Sequence, residues 1–383
     1  MDKREKLHTF YEFFAGGGMA RAGLGSHWQC LFANDISTRK ADAYTRNWGP
    51  ENFVTSDIFD LKVASLPGRA DLAWGSFPCQ DLSLAGAGAG LGGKRSGAFW
   101  GYWELIRSLN RDGRKPRMVM LENVLGTLTS HEGKDFDAIA KALAKENYQF
   151  GAMVIDAVHF IPQSRPRLFI LGVDAGMEIP ESVHGWTATP AWHSDAVIRA
   201  HNRLAKKEQA LWRWWAPSMP GLPPRRLEDL LEHDPAGVVW NSADETAKLL
   251  ISMSDVNRRK VMFAQASGTT RVGTVYRRTR NGVVRAEVRF DGVAGCLRTP
   301  SGGSSRQTLL VVEGERIRSR LLSSREAARL MGLPDDYELP ACYNEAYHLA
   351  GDGVVVPVVE HIARTLLDPI IKAQAALSTR VAA

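Results

Sequence analysis

No stretch of the 383 residues approaches the run of about 20 apolar residues that a membrane-spanning helix needs. The opening MDKREKLHTFYEFF has neither the apolar core nor the small-residue cleavage site of a secretory leader. Cysteine is scarce: there are four, and none is spaced as CxxC. That excludes a disulfide-stapled scaffold, argues against a zinc site, and leads us to expect no metal. A reducing cytoplasm is the expected setting. Between residues 270 and 320 lysine is absent and acids number only four, against eleven arginines. The local net charge is +7 while the whole chain carries +6, so everything else sums to −1. Charge concentrated this way suits a polyanion-binding surface, and it equally suits a solvated arginine-rich face.

What is present reads as globular: 44% of residues are hydrophobic and 23% charged, in a length that allows two domains. Up to residue 173, short apolar runs at 9–14, 28–34, 71–75, 117–121, 150–158 and 168–173 alternate with amphipathic stretches at 37–47, 98–109 and 135–146. The alternation predicts an α/β fold with a mostly parallel sheet covered on both faces. Residues 174–340 read as a smaller, irregular, β-rich domain. Its short strands are expected within RVGTVYRRTRNG, VVRAEVRFDG and TLLVV. SSREAARLMGL predicts a helix capped by Ser323 or Ser324 with Glu326 in its first turn. In residues 341–383 an apolar helix over 354–367 is expected to return to the first domain.

Four places carry residues suited to chemistry. In EFFAGGGMARAGLG an apolar strand meets Gly16–Gly18 and then a helix, so a ligand can approach the backbone closely. Asp35 follows the second strand, where such folds hold ribose hydroxyls, Asp57 follows the third, and Phe14 can stack on an adenine. In GSFPCQDLS, Cys79 follows Pro78 at a strand end, and Gln80, Asp81 and a glycine-rich loop come next. The loop over 81–97 is expected to act as a lid. Gly88 and Gly93-Lys94 imitate a phosphate-binding loop. The match fails because Arg95 stands where Ser or Thr must follow the lysine. Glu122 and Asn123 end another apolar strand, where a carboxylate is costly unless it has a partner. In IPQSRPRLFILGV, Gln163, Arg165 and Arg167 precede a strand, and alternation puts the two arginines on one side. The bland alternative for these last two places is an ion pair at a sheet edge.

These segments, taken together, resemble the DNA cytosine-5 methyltransferases. FFAGGGMARAGL, ANDIS, SDI, GSFPCQDLS, LENV, QSRPRLFILGV, RSRLLSSREAARLMGLPDDY and GDGVVVPVV occur in that family's order and span most of the chain. The resemblance implies a Rossmann-like, S-adenosylmethionine-dependent methyltransferase domain over 1–173. A DNA-reading target-recognition domain would follow over 174–340, and a returning C-terminal helix within 341–383. It implies a cofactor pocket formed by Phe14, Gly16, Gly18, Asp35, Ile36, Asp57, Ile58, Pro78, Asp352 and Val354. Cys79 would be the nucleophile. Glu122 would meet the Watson–Crick edge of the base, helped if burial raises its pKa. Arg165 and Arg167 would hold the base and the nucleophile region, Arg167 reaching the cytosine carbonyl. The lid would bring Ser83, Lys94 and Arg95 to the DNA, and Gln80, just before it, is a further DNA candidate. Asn123, Gln163, Arg271, Arg277, Arg278, Arg280, Arg298, Ser304 and Arg306 are the remaining DNA candidates, and Trp212, Trp214 and Trp215 are expected to pack.

Three positions depart from the family pattern: Met19 and Ser76 replace glycines, and Asp352 stands where asparagine is usual. None is a group the reaction needs. The implied partner is double-stranded DNA in the cytoplasm, associated with the nucleoid, for a monomer, with room for a separately acting restriction endonuclease. An RNA cytosine methyltransferase of the same fold, a catalytically dead homologue and a nucleotide hydrolase are the alternatives. The presence of both Cys79 and Glu122 speaks against the second, and the broken phosphate loop against the third.

Overall fold

The structure, a computed structural model, describes residues 7–78, 97–221, 225–280, 282–299 and 306–382. Strands and helices alternate as the apolar runs predict: β1 (His8–Phe13), α1 (Met19–Leu24), β2 (Trp28–Asp35), α2 (Thr38–Trp48), β3 (Phe53–Thr55), β4 (Leu72–Gly75), α3 (Ala98–Arg111), β5 (Met118–Asn123), α4 (Lys134–Lys145), β6 (Tyr148–Asp156) and β7 (Pro166–Asp174). They form one sheet in the order β3-β2-β1-β4-β5-β7-β6. Strands β1 to β5 run parallel, and β7 is antiparallel to β5. Every residue of β4 and β5 is buried, as strands covered on both faces must be. On one face, α3 contributes Phe99, Tyr102, Trp103, Ile106 and Leu109 at helical spacing, and α4 contributes Phe136, Ile139 and Leu143. β1 lies between β2 and β4, so connections depart to opposite sides there. That is where an open α/β sheet leaves a crevice beyond its strand ends.

Four small elements follow: β8 (His184–Gly185), α5 (Asp195–Arg203), α6 (Lys206–Ala210) and β9 (Trp214–Trp215). Their main role is to cover the exposed edge of β6. Phe150 N–H donates to Leu211 O at 2.9 Å, and Arg213 N–H donates to Phe150 O at 2.8 Å. The buried Trp215 donates its indole N–H to Leu171 O. The tryptophans therefore pack, as expected, but they pack on the large sheet.

The second part holds α7 (Ala243–Ile251), α8 (Asp255–Ala266), β10 (Arg271–Arg280), β11 (Val283–Arg289), β12 (Thr308–Glu313), β13 (Arg316–Leu321), α9 (Ser324–Arg329) and α10 (Tyr343–Asp352). Its strands form an antiparallel sheet ordered β11-β10-β12-β13. Val275, Val288, Leu310 and Val312 on one sheet face pack against Leu249, Met253, Val261 and Ala264 of the helical side. Ser323 and Glu326 form the expected reciprocal cap of α9. The chain ends with α11 (Val356–Ile362), a π-helical turn at 363–367 and α12 (Asp368–Ala382). α11 lies so close to α1 that a Cβ on Gly23 would stand 2.4 Å from Val359 Cβ.

Two compact units result: Met1–Ile155, Pro166–Pro220 and Val356–Ala383 form one, and Asp156–Arg165 with Gly221–Val355 the other. The division expected at 173/174 thus falls at 220/221, because residues 174–220 serve the β6 edge. Residues 341–355, expected with the C-terminal helix, cluster with the second unit.

Candidate active site

The glycine-rich turn after β1 is built by backbone that only certain residues tolerate. Phe14 has φ 58°, Gly16 φ 56° and Gly18 φ 77°. A phenylalanine held in the left-handed region is strained and needs its surroundings to hold it there. Its ring lies beside that of Tyr102. A Cβ on Gly16 would meet nothing within 4 Å, whereas one on Gly18 would stand 2.3 Å from the Trp48 indole nitrogen. Gly16 therefore faces open space, and Gly18 is glycine because Trp48 leaves no room.

Asp35 ends β2 beside this turn. One carboxylate oxygen accepts from Gly16 N–H and the other from Ser37 N–H, both at 2.9 Å. Each oxygen keeps a lone pair for a ligand hydroxyl. The next residue, Ile36, is 65% exposed despite its apolar side chain. Asn34, which sequence reasoning passed over, donates to Val54 O and Ser56 O and so fastens β2 to the segment that carries Asp57. Asp57 accepts from Phe59 N–H, while Ile58 is buried and would crowd a Cβ on Gly101.

Glu12 was also passed over. It is fully buried near the end of β1, and its Oε1 accepts from Arg21 N–H in α1. Burial pushes its carboxyl up to about 8. Its signal was legible: an acid inside the apolar run YEFF, just before three glycines.

The ends of β4 and β5 lie side by side in parallel register. Trp74 donates its indole N–H to Ser76 Oγ at 3.0 Å. Buried Asn123 donates to Phe77 O at 3.1 Å, and its Oδ1 accepts from Val124 N–H. The bond from Asn123 to Phe77 fastens the Phe77-Pro78 segment to the strand that carries Glu122. Glu122 is buried and ion-paired, with Arg167 Nε 3.3 Å from its Oε1. Glu122 lies opposite Phe169 across the β5–β7 pair, so Arg167 reaches it from the start of β7.

Several expected site residues have other work. Arg165 is buried in the second unit and donates to Leu297 O, Gly351 O and Gly353 O at 2.7–2.9 Å. The shared side expected for Arg165 and Arg167 is thus corrected: Arg165 precedes β7 and secures backbone, while Arg167 pairs with Glu122. Gln163 is fully buried, donates to Leu330 O and accepts from Leu297 N–H. Its amide and that of Asn123 are engaged inside the protein, against the expectation that they face DNA. Arg306 bonds Asn344 and lies over the Tyr343 ring. Asp352 accepts from Thr299 Oγ1, and Val354 is buried beside it in the second unit. Arg271, Arg277, Arg278 and Arg298 are exposed, and Arg280 pairs with Val283 in backbone register. Cys79, Gln80, Ser83, Lys94, Arg95 and Ser304 lie outside the described residues, as does nearly all of the expected lid. No described helix is long and apolar enough to cross a membrane.

Comparison with known proteins adds to this geometry. A family profile for C-5 cytosine-specific DNA methylases matches residues 8–368. The Type II methyltransferase M.HhaI of Haemophilus parahaemolyticus is 26% identical over 366 residues, covering 94% of this chain and 95% of its own length. M.NgoBI of Neisseria gonorrhoeae, also a Type II methyltransferase, is 25% identical over 359 residues, covering 92% and 91%. Among solved structures, the S. pombe Dnmt2 methyltransferase superposes with a TM-score of 0.61 at 19% identity, covering 94% of this chain and 99% of that one. The Entamoeba histolytica methyltransferase EhMeth superposes with a TM-score of 0.59 at 15% identity, covering 95% and 99%. These two likenesses speak to fold alone.

Proposed function

The chain belongs to the C-5 cytosine-specific DNA methylases and is a DNA (cytosine-5-)-methyltransferase; we propose that it acts on a cytosine flipped out of duplex DNA, with Cys79 as the attacking group. The observation that carries this reading is the junction of β4 and β5. Asn123 binds the backbone two residues before Cys79, and its neighbour Glu122 is held by Arg167. A carboxylate on β5 and a cation on β7 thus stand beside the Phe77-Pro78 segment that precedes Cys79 in sequence.

Carbon 5 of cytosine is a poor nucleophile until a thiolate adds to carbon 6. In our reading the Cys79 Sγ–C6 bond forms, and the C5=C6 electron pair makes carbon 5 nucleophilic. Glu122 meets the ring nitrogen and exocyclic amine. Arg167 meets the carbonyl oxygen, where negative charge develops. Bound S-adenosylmethionine supplies an electrophilic methyl group on its sulfonium. Once carbon 5 carries the methyl group, loss of its proton expels Cys79 and restores the ring. A base inside a duplex cannot reach these groups, so it must leave the stack.

The residues around the first turn suit that cofactor. Gly16 opens onto empty space, and Asp35 is oriented by two N–H donors with lone pairs to spare. Ile36 and Phe14 offer apolar surface for an adenine. Asp57, Ile58, Gly18 and Pro78 complete the set we assign to it.

The test is expression in cells free of DNA methylation, followed by bisulfite sequencing. Protected cytosines in one short recurring context are expected. Cys79→Ala is expected to abolish them, lowering turnover by about 10³-fold or more. A soluble protein that binds S-adenosylmethionine and protects no cytosine would overturn the proposal.

A further inference from the structure

The glycine turn after β1 is held from outside as well as from within. Gly18 N–H donates to Ala15 O at 2.8 Å, which closes a tight turn with Gly16 and Gly17 at its centre. The carbonyl of the same Gly17-Gly18 peptide accepts from the Trp48 indole N–H at 3.0 Å. That peptide unit is therefore bonded at both of its poles. Two adjacent glycines would otherwise sample many conformations. With both bonds in place, the path of Gly16 along the open crevice is fixed.

Trp48 is the last residue of α2, and its ring is fixed in turn. The Arg21 guanidinium lies 5.0 Å from the ring centroid and donates to the Tyr44 hydroxyl at 3.0 Å. Tyr44 is fully buried and lies against the Phe53 ring. The indole also occupies the space beside Gly18 that a Cβ would need. The other end of α2 starts beside Asp35, whose two carboxylate oxygens accept from Gly16 N–H and Ser37 N–H. A closed circuit results. It runs from Gly16 to Asp35, on to Ser37, along the 11 residues of α2, and from Trp48 back to Gly17. One helix thus ties the acid of the crevice to the turn that faces it.

We propose that Trp48 is a positioning residue for S-adenosylmethionine: its indole N–H holds the Gly17 carbonyl, so that the turn has its binding shape before the cofactor arrives. It acts through Gly17 rather than by its own contact. A turn organised in advance loses less freedom on binding, so the bond counts in affinity and not in the chemical step. The inference rests on the cofactor reading above. It adds a residue 31 positions from Gly17 and outside every motif that carried that reading.

The experiment is calorimetric binding of S-adenosylmethionine to the full chain, with thermal unfolding and methylation kinetics on duplex DNA alongside. W48F keeps a ring beneath Arg21 and removes the donor. It is expected to bind the cofactor about five- to tenfold more weakly, the effect of one lost hydrogen bond. KM for the cofactor should rise by a similar factor, with kcat at saturating cofactor within about twofold of the unsubstituted chain. W186F serves as control, since Trp186 is 88% exposed, and should bind as the unsubstituted chain does. Should W48F fold poorly, β-(3-benzothienyl)alanine at position 48 keeps the shape of the indole and replaces its N–H by sulfur; the same loss is expected. Unaltered affinity at position 48, whatever happens to Tm, would overturn the proposal. So would an equal loss in W186F, or a fall in kcat with KM unmoved. If the unsubstituted chain binds no S-adenosylmethionine, the cofactor reading fails instead. If it binds and the Trp48 variants match it, only the role of Trp48 falls.

Discussion

Glu122 and Arg167 show how much one pair can decide. Both side chains are largely buried, and each is the other's counter-charge. Removing one partner of a buried pair costs about 3–5 kcal/mol, because the remaining charge stays desolvated. Arg167→Ala should therefore lower both urea-unfolding stability and turnover, whereas Glu122→Gln/Arg167→Met should recover part of the stability and none of the turnover. Recovery of turnover in the double variant would refute the assigned roles. At this scale the sequence showed which residues lie near strand ends: Glu122 is the last residue but one of β5, and Arg167, expected just before a strand, is the second residue of β7. It did not show partners. Arg165, Gln163 and Asn123 look alike as polar residues in motifs, yet each is engaged by backbone groups within the fold. Arg165 and Gln163 find theirs more than 130 residues away.

The glycine turn is an element whose members have different reasons for being glycine. Gly18 faces Trp48, which is pinned by its bond to Gly17 O and by the Arg21 guanidinium above its ring. Gly18→Ala should cost about 2–4 kcal/mol, combining left-handed backbone with a clash that cannot relax. Gly16→Ala meets only the backbone cost of about 1–2 kcal/mol, but its methyl enters the open crevice. Thermal unfolding should separate the two variants. Calorimetry with S-adenosylmethionine should show Gly16→Ala losing affinity while still folded; unaltered affinity would remove Gly16 from the cofactor site. Long apolar strands such as β5 were legible because burial on both faces writes a continuous apolar run. β3 was not, being three residues with little burial. β13, RIRSRL, was hidden by its arginines, which alternate with residues facing the helices and are held by Glu313, Glu326 and the Trp240 ring.

The stability of the whole molecule should carry the imprint of Glu12. Its carboxyl sits at about 8 in the folded protein, against an ordinary value of 4.5, so the folded state keeps a proton that the unfolded chain gives up. That contribution is complete below about pH 4.5 and is lost as pH rises through 8. Glu12→Gln should shrink the fall in Tm between pH 5 and pH 9 by about 2 °C or more, and parallel curves for the two proteins would refute it. The sequence by itself determined the α/β alternation, the order of the motifs, the glycine turn and the basic stretch. Each depends on spacing along the chain, and spacing sets periodicity, turn chemistry and local charge directly. Tertiary structure decided that residues 174–220 close the edge of the large sheet. It also decided that Arg165 and Arg320 are internal while Arg278 and Arg285 are exposed. Those outcomes depend on which carbonyls, carboxylates and strand edges the fold brings within hydrogen-bonding distance, and no local pattern encodes an encounter across a hundred residues.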